Sequence, residues 1–324
     1  MKKIIIYLLV IIASKSYAQE LNLPVWTQYL ADNDFVISPT YAGIGDNVRI
    51  RVNGLTQWVG IKDAPDNQSL YADFRFANRS GAGITLYNDK NGYTRQRGFK
   101  VSYAHHLILD YTSRQFLSLG LSYNLNSFKI DINEFEPDYE NPVLDPYVTD
   151  DRAINNHNFD IGALYRNGGF YFSFNLNNIL DKDIDNFTGI EPNGIRNYQI
   201  YTGYIMQSKT NKRVEFEPSV FYQLFGSDNR SSTDINFKYR KYNRKEDYYW
   251  LGVSYRFLND QVLKPLNIGP MAGIMKSKFY FAYSYQVTMN DLVGYNSGTH
   301  MITIGFDFLQ GLSNCSCTDG RVLF

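Results

Sequence analysis

Four histidines are the residues of this chain best suited to proton transfer: His105, His106, His157 and His300. Nucleophilic catalysis needs a hydroxyl within reach of a base, and a third group to hold that base. His105 and His106 are neighbours on one predicted strand, so their side chains point to opposite faces and cannot share a site. His157 and His300 begin predicted strands beside outer loops. Since no nucleophile motif accompanies them, we predict no catalytic residues.

Acidic residues and cysteines are the other candidates for chemistry. Asp145, Asp150 and Asp151 lack the spacing of a calcium loop, and we expect them to be solvated. Cys315 and Cys317 are too few for a closed zinc site, and a disulfide at this spacing is geometrically marginal. We therefore expect an exposed cysteine pair without a catalytic role, no metal site and no cofactor.

Composition narrows the class of protein. The 324 residues include 32 Lys+Arg and 32 Asp+Glu, so no basic field is available for a nucleic acid. The mean hydropathy is −0.35 with one long apolar run, which excludes a helical membrane protein. The 27 Tyr and 22 Phe favour β-structure with an amphipathic surface.

The N-terminus has the pattern of an export signal. Lys2 and Lys3 precede an apolar run over 4–13, and the small residues Ser16 and Ala18 occupy positions −3 and −1 of the expected cut after Ala18. We predict a signal peptide over 1–18, and since no cysteine follows the cut, no bacterial lipid anchor. The mature chain is therefore expected to leave the cytoplasm.

Alternation with a period of two dominates the rest of the chain. In 169–176, for example, phenylalanines at alternate positions face one way and polar residues face the other. About fourteen such segments occur, each near the ~9–11 residues that cross a bilayer as a tilted strand. They are 47–55, 68–76, 81–88, 97–108, 114–125, 157–166, 169–176, 196–206, 213–224, 231–240, 246–257, 268–276, 277–287 and 299–309.

Long and short connections mostly alternate between these segments. The connections 56–67, 89–96, 126–156 and 177–195 are long, whereas 167–168 is short. An outer-membrane barrel keeps its long loops outside and its short turns in the periplasm. We predict an all-β, antiparallel transmembrane barrel over 47–310. Residues 19–46 form a periplasmic or lumenal segment, and 311–324 a C-terminal tail.

The two longest connections, 126–156 and 177–195, contain many apolar residues, which loops surrounded only by water do not need. Such groups either pack on one another as a cap over the barrel or form a protein-binding patch. The candidate partner-binding residues are Phe128, Phe135, Tyr139, Leu144, Tyr147, Leu180 and Phe187.

Three short motifs, in order along the chain, resemble those of one family. Residues 26–29 and 38–43 look like the "SQY … NPAYAG" opening of the PorP/SprF family, 57–65 is similar to its "QWxGxxGAP", and 298–300 to its "GSHE" pattern. The positions that carry the resemblance are Gln28, Tyr29, Pro39, Tyr41, Ala42, Gly43, Gln57, Trp58, Gly60, Ala64, Pro65, Gly298 and His300. Of three readings for Trp58 (lipid anchor, loop packing or partner contact), loop packing is favoured by the neighbouring Gly and Pro.

The resemblance implies a non-enzymatic component of type IX secretion and gliding in the Bacteroidetes outer membrane. It implies three partners: outer-membrane lipid, the C-terminal export region of a secreted adhesin, and other secretion components. A passive porin or nutrient channel is the alternative, because it would have the same polar lumen. An outer-membrane enzyme is a third class, and it would require one of the histidines.

Overall fold

The computed structural model describes residues 27–45, 47–92, 94–130, 152–180, 196–226, 229–243, 247–261, 265–289, 294–309 and 315–320. Fifteen strands make up one sheet. They are β1 Asn47–Thr56, β2 Asp66–Ala77, β3 Ser80–Asn91, β4 Thr94–Asp110, β5 Gln115–Ile130, β6 Arg152–Asn167, β7 Phe170–Asn177, β8 Asn197–Tyr204, β9 Met206–Gln207, β10 Val214–Phe225, β11 Ser231–Tyr242, β12 Tyr248–Leu258, β13 Pro265–Lys276, β14 Phe279–Thr288 and β15 Thr299–Leu309.

The sheet closes on itself. Apart from β8 and β9, strands that are neighbours in sequence pair antiparallel, and β1 pairs with β15. The short β9 and β8 both pair with β10 and are interrupted only at Ile205, so together they make one pass. The result is a closed antiparallel barrel of fourteen passes. The predicted outer-membrane barrel of about fourteen strands is confirmed.

Alternate side chains face lipid and lumen, as the period of two predicts. On β14, Phe279, Phe281 and Tyr283 are exposed, whereas Tyr280 and Ala282 are buried. Large apolar side chains cover the outside of the other strands in the same way, for example Val101 and Leu251. A soluble protein does not leave so much apolar surface in water, and a bilayer covers it.

The lumen is lined by polar and charged side chains. Asp73, Arg75, Asp234, Lys238 and Arg256 are all buried inside the barrel. Most are paired: Arg256 makes two hydrogen bonds of 2.6 Å with Asp234. Such pairing offsets the cost of removing each charge from water.

Three short turns lie at one end of the barrel. The two-residue turns 78–79, 168–169 and 277–278 are there, beside the start of β1 and the end of β15. The connection between β5 and β6 lies at the opposite end. Short turns mark the periplasmic end of such barrels, which orients the molecule.

Two predicted boundaries at the outer end are wrong. The predicted long connection 89–96 is only two residues long, because β3 runs to Asn91 and β4 begins at Thr94. Likewise β5 and β6 take in both ends of the predicted loop 126–156. At ~3.3 Å per residue the 17-residue β4 follows a path of about 56 Å, longer than the apolar band it crosses. These hairpins therefore project beyond the membrane.

Among the residues that the structure describes, the helical elements are short 3-10 turns: Thr27–Leu30, Asp34–Val36, Pro39–Tyr41, Asn259–Gln261 and Ser316–Thr318. Within the described ranges, no helix is long and apolar enough to span a bilayer.

Candidate functional site

The first described residues, 27–45, lie inside the barrel, and we call them the N-terminal plug. Three 3-10 turns fold this segment into a compact body whose Tyr29, Leu30, Phe35, Ile37 and Ala42 are buried. The plug thus brings an apolar core into a lumen whose walls are polar. The inward polar residues of the strands then pair with its hydrogen-bonding groups.

Tyr29 fixes the first turn of the plug to the wall. Its hydroxyl donates to Oδ2 of Asp234 over 3.0 Å and accepts from Nδ2 of Asn236 over 2.8 Å. Its ring packs against Tyr201 and Phe221, with ring centroids 5.2 and 5.1 Å apart. The phenol is therefore held by both its ring and its hydroxyl.

Asp32 forms the charged anchor of the plug. Its carboxylate accepts hydrogen bonds from Nζ of Lys238 at 2.8 Å, from the hydroxyl of Tyr248 at 2.9 Å, and from Arg240. Burial alone would raise the pKa of the Asp32 carboxyl, but the charges of Arg240 and Lys238 outweigh it and hold that pKa well below its usual range. Asp32 is therefore ionised and bound at any physiological pH.

Asp34 has the opposite electrostatic character. Burial, together with the nearby charge of Glu217, raises the pKa of the Asp34 carboxyl to about 7 even though Lys238 and Arg49 act to lower it. The plug thus carries one carboxylate that is always charged and one that titrates near neutral pH.

The wall opposite these anchors is built to receive backbone. A Cβ on Gly81 would overlap the carbonyl oxygen of Ala42, and one on Gly43 would lie 2.7 Å from the Cα of Gly81. Gly43 also has φ +76°, and its N–H donates to Oδ2 of Asp73 over 2.9 Å. Only glycine permits so close an approach of plug and strand.

His106 on β4 also contacts the plug at Ala42. Its side chain points inward, with Nε2 3.0 Å from the carbonyl oxygen of Ala42 and Nδ1 2.8 Å from the hydroxyl of Ser118. His105 points outward, where Nδ1 lies 2.9 Å from the hydroxyl of Ser80. The predicted opposite orientation of these two neighbours is confirmed.

The C-terminal residues 315–320 form a second lumenal segment, which we call the C-terminal clip. Arg166 donates to the carbonyl oxygen of Asp319 over 2.8 Å, and the N–H of Gly45 donates to that of Thr318 over 2.7 Å. Cys315 and Cys317 form a disulfide and are both buried. The expected exposed pair is therefore wrong, because residues 315–320 pack against Arg166 and Gly45 at the periplasmic end of the barrel.

The family-motif positions gather in two places. Gln28, Tyr29, Pro39, Tyr41, Ala42 and Gly43 all belong to the plug. Gln57, Trp58, Gly60, Ala64 and Pro65 form the β1–β2 connection, and Gly298 and His300 stand at the start of β15.

These two outer connections are hydrogen-bonded to each other. The N–H of Val59 donates to the carbonyl oxygen of Gly298 over 3.0 Å, and the N–H of Ser297 donates to that of Val59 over 2.7 Å. Trp58 is half-buried within this paired rim at φ +47°. His300 accompanies it on the outer face, 2.7 Å from the hydroxyl of Tyr283. The sequence did not predict this contact, because Val59 and Gly298 lie far apart along the chain.

A cavity opens above the plug toward the outer end, and we call it the vestibule. It holds about 970 Å³ of space between atoms, part of which is open to solvent. Its floor is the plug segment 35–39, and its walls are the inward faces of β2 to β8. Amide side chains dominate these walls. Sequence reasoning missed this site, because each Asn or Gln by itself is an ordinary inward strand residue.

The candidate partner-binding residues divide into three groups. Phe128, predicted in a loop, lies instead in β5 and is buried. Leu180 is 42% exposed at the start of the β7–β8 connection, where its N–H donates to Asn158 over 2.8 Å. Phe135, Tyr139, Leu144, Tyr147 and Phe187 lie outside the described residues.

His157 pairs with Tyr123 on the outer surface, at 2.5 Å between Nδ1 and the hydroxyl. In the part of the chain that the structure describes, no group of three or more His, Cys, Asp or Glu could hold a metal ion.

Comparison with known proteins gives one family. The family described as "Type IX secretion system membrane protein PorP/SprF" matches residues 18–306. No curated protein matches the chain.

Solved structures resemble the chain at low identity. The CymD monoaromatic hydrocarbon channel is 8% identical, with 86% of this chain and 92% of that one covered, at a TM-score of 0.49. BamA from Haemophilus ducreyi is 8% identical, with 81% and 70% covered, at 0.43. Outer membrane phospholipase A from Escherichia coli is 9% identical, with 82% and 91% covered, at 0.37.

Proposed function

This chain belongs to the PorP/SprF family of type IX secretion system membrane proteins, and we propose that it supports secretion or surface retention of a cognate large surface protein. The role is non-enzymatic. The cognate surface protein is of the gliding-adhesin type, and the barrel holds it through its C-terminal export region. Export of the barrel itself proceeds through a signal peptide cut after Ala18.

The filled lumen is the observation that favours an anchor over a passive channel. The plug is held by the buried Tyr29–Asp234 hydrogen bond and by the ion pairs of Asp32 with Lys238 and Arg240. A porin needs a continuous aqueous path, whereas this barrel has a rigid body across its interior. A rigid barrel with projecting outer hairpins suits the retention of a large partner.

The outer connections are the proposed grip. The connection between β5 and β6 rises from two projecting 16-residue strands and carries apolar residues among acidic ones. Apolar surface with a charged rim is typical of a protein-binding patch. Other secretion components would meet the opposite, periplasmic end, where the two-residue turns and the C-terminal clip lie.

Replacing residues 132–148 by a Gly-Ser segment of equal length tests this role. We expect the variant to insert normally and stay heat-resistant on gels, while its cognate protein is lost from the cell surface. Tyr295→Ala is the matched control, because Tyr295 is 77% exposed on a different outer connection. Normal secretion and display by the loop variant would refute the proposed grip.

A single-channel recording separates this role from the porin alternative. The purified barrel in a planar bilayer should show no stable open state, because the plug occupies the lumen. A steady ohmic pore in the unmodified protein would favour the porin.

A further inference from the structure

The outer ends of β3, β4 and β5 carry cations on the face that points away from the lumen. Val101 of β4 is exposed on the lipid side, and Arg95 and Arg97 share its face because the side chains of a strand alternate. Arg95 pairs in register with Lys90 on β3 and with Lys129 on β5, so these side chains point the same way. We call this group the basic patch: Lys90, Arg95, Arg97 and Lys129.

The basic patch places like charges side by side. Lys90, Arg95 and Lys129 follow one another across three neighbouring strands, which lie ~4.8 Å apart. Like charges directly opposite one another destabilise a sheet. At the outer ends of β2 to β6, as far as the structure describes them, Asp66 is the one acidic residue on this face, and it stands opposite Lys90. An anionic partner outside the sheet would neutralise the excess positive charge.

Hydrogen bonds hold Arg97 in a fixed orientation. Its Nε donates to Oδ1 of Asn88 over 2.8 Å, and Nδ2 of Asn88 donates to Oε1 of Gln68 over 2.9 Å. Nε2 of Gln68 donates in turn to Oδ2 of Asp66 over 2.8 Å. Arg97 is exposed although it is held in this way, so its guanidinium is pre-oriented at a surface that a ligand can reach.

An aromatic cluster just below the patch marks the level of the lipid headgroups. The ring centroid of Tyr123 lies 6.3 Å from that of Phe99 and 5.6 Å from that of Phe159. Aromatic side chains gather at the boundary between the apolar core of a bilayer and its headgroups. Arg97 lies two residues beyond Phe99, which at ~3.4 Å per residue and a strand tilt of ~40° is about 5 Å further from the membrane centre. The headgroup layer is about 5–7 Å deep, so Arg97 lies within it.

The chemistry of these side chains indicates the kind of anion. Arg95 and Lys129 lie one repeat further out, about 10 Å beyond the aromatic cluster, and their long side chains can reach the same layer. A planar guanidinium matches two oxygens of a phosphate, and an ammonium group adds a point charge. Clusters of Lys and Arg beside a membrane are typical of sites that bind phosphorylated headgroups.

From this arrangement we propose that the basic patch binds the phosphate groups of lipopolysaccharide in the outer leaflet. The bound lipid neutralises the row formed by Lys90, Arg95 and Lys129, and Arg97 contacts its phosphate within the headgroup layer. The lipid also fixes the height above the membrane of the hairpins that carry the β5–β6 connection. This binding does not require the secreted partner, so it is independent of the proposed function.

A lipid titration of the purified barrel tests this site. The probes are lipid A, the phosphorylated membrane anchor of lipopolysaccharide, and the same lipid A with its phosphates removed. Each is added to the barrel in detergent, and native mass spectrometry counts the bound lipid. We expect the phosphorylated lipid to bind about a hundredfold more tightly, because each cation near a lipid surface contributes about fivefold. Equal affinity for the two lipids would overturn the proposal.

Neutral substitutions locate the site on the barrel. Arg95→Gln, Arg97→Gln and Lys129→Gln together should reduce the preference for the phosphorylated lipid to about fivefold or less. The matched control removes three exposed cations at the periplasmic end and should keep the full preference: Lys241→Gln, Lys276→Gln and Lys278→Gln. A patch variant that binds like the natural protein, or a control that loses as much, would contradict the assignment. If the patch variant is not heat-resistant on gels, Arg97→Gln alone, at an exposed position, should lower the preference about fivefold.

The β5–β6 connection is the competing partner for the patch, because it carries acidic residues. The Gly-Ser replacement of 132–148 distinguishes it from lipid, and we expect that replacement to leave the preference for the phosphorylated lipid unchanged. A preference that appears only after the replacement would show that the connection occupies the patch in the natural protein, and the proposal would be wrong.

Discussion

Tyr29 of the N-terminal plug donates a 3.0 Å hydrogen bond to Asp234 on β11, a residue 205 positions further along the chain. Arg256 on β12 binds the same carboxylate through two contacts of 2.6 Å. The plug therefore completes a buried polar network that the strands alone leave open. Interior networks of this kind fix a unique arrangement only when each member is satisfied.

Removal of the Tyr29 hydroxyl should weaken the barrel measurably. Tyr29→Phe leaves the donor of Asn236 and one acceptor of Asp234 without their partner, at a cost of about 1–3 kcal/mol. Urea unfolding in lipid vesicles measures the loss of free energy. Tyr295→Phe, on an exposed tyrosine, should change it by less than ~0.5 kcal/mol. Equal effects of the two substitutions would contradict the network.

The close contact between Gly81 on β3 and Ala42 of the plug should make the position of the plug sensitive to any side chain at residue 81. Gly81→Ala places a methyl group against the Ala42 carbonyl, so we expect the plug to shift and a conductance to appear in planar bilayers. Gly54→Ala is the control, since a Cβ at Gly54 meets nothing within 4 Å. A closed Gly81 variant with unchanged stability would show that the seat tolerates a methyl group.

The fold was predictable from sequence because lipid and lumen impose a strict alternation on every pass. The alternation did not reveal that β3 and β4 extend through Lys90 and Arg95. There the projecting hairpin meets water on both faces, so apolar and polar residues no longer alternate. The plug contacts could not be predicted, because pairs such as Tyr29 and Asp234 leave no local pattern. Burial of Cys315 and Cys317 was missed for the same reason.

Asp34 should make the plug sensitive to pH. Its carboxyl has a pKa of about 7 in the folded protein, above its ordinary value of 3.8. Its contribution to stability is therefore fully present below about pH 4 and is lost as the pH rises through about 7. The pKa of Asp32 is held well below its ordinary value of 3.8, so above about pH 5 Asp32 is ionised in both the folded and the unfolded chain and adds no slope.

A comparison with Asp34→Asn isolates that slope. The unfolding free energy of the natural barrel, minus that of the variant, should decrease between pH 5 and pH 8. A difference that is constant with pH would show that Asp34 does not titrate in the lumen.

The disulfide of the C-terminal clip should act locally. In Cys315→Ser with Cys317→Ser we expect faster amide exchange over 315–320, while barrel unfolding changes by less than ~1 kcal/mol because a three-residue ring restrains little chain entropy. Reductant added to the natural protein should reproduce the exchange. If the whole barrel weakens instead, the clip contributes to global stability.

A substitution at Gly298 tests whether the family-motif residues of the paired outer rim stabilise the contact between the two connections. Gly298 has φ +84°, and a Cβ on it would lie 2.6 Å from the carbonyl oxygen of Gln286. Gly298→Ala should therefore break the hydrogen bonds between Val59 and the 297–298 segment and expose Trp58. Fluorescence quenching of the variant with Trp26 and Trp250 replaced by Phe reports that exposure. Gly294→Ala, where a Cβ meets nothing within 4 Å, is the control on the same connection. Normal quenching in Gly298→Ala, together with loss of the surface protein, would instead assign this rim to partner contact.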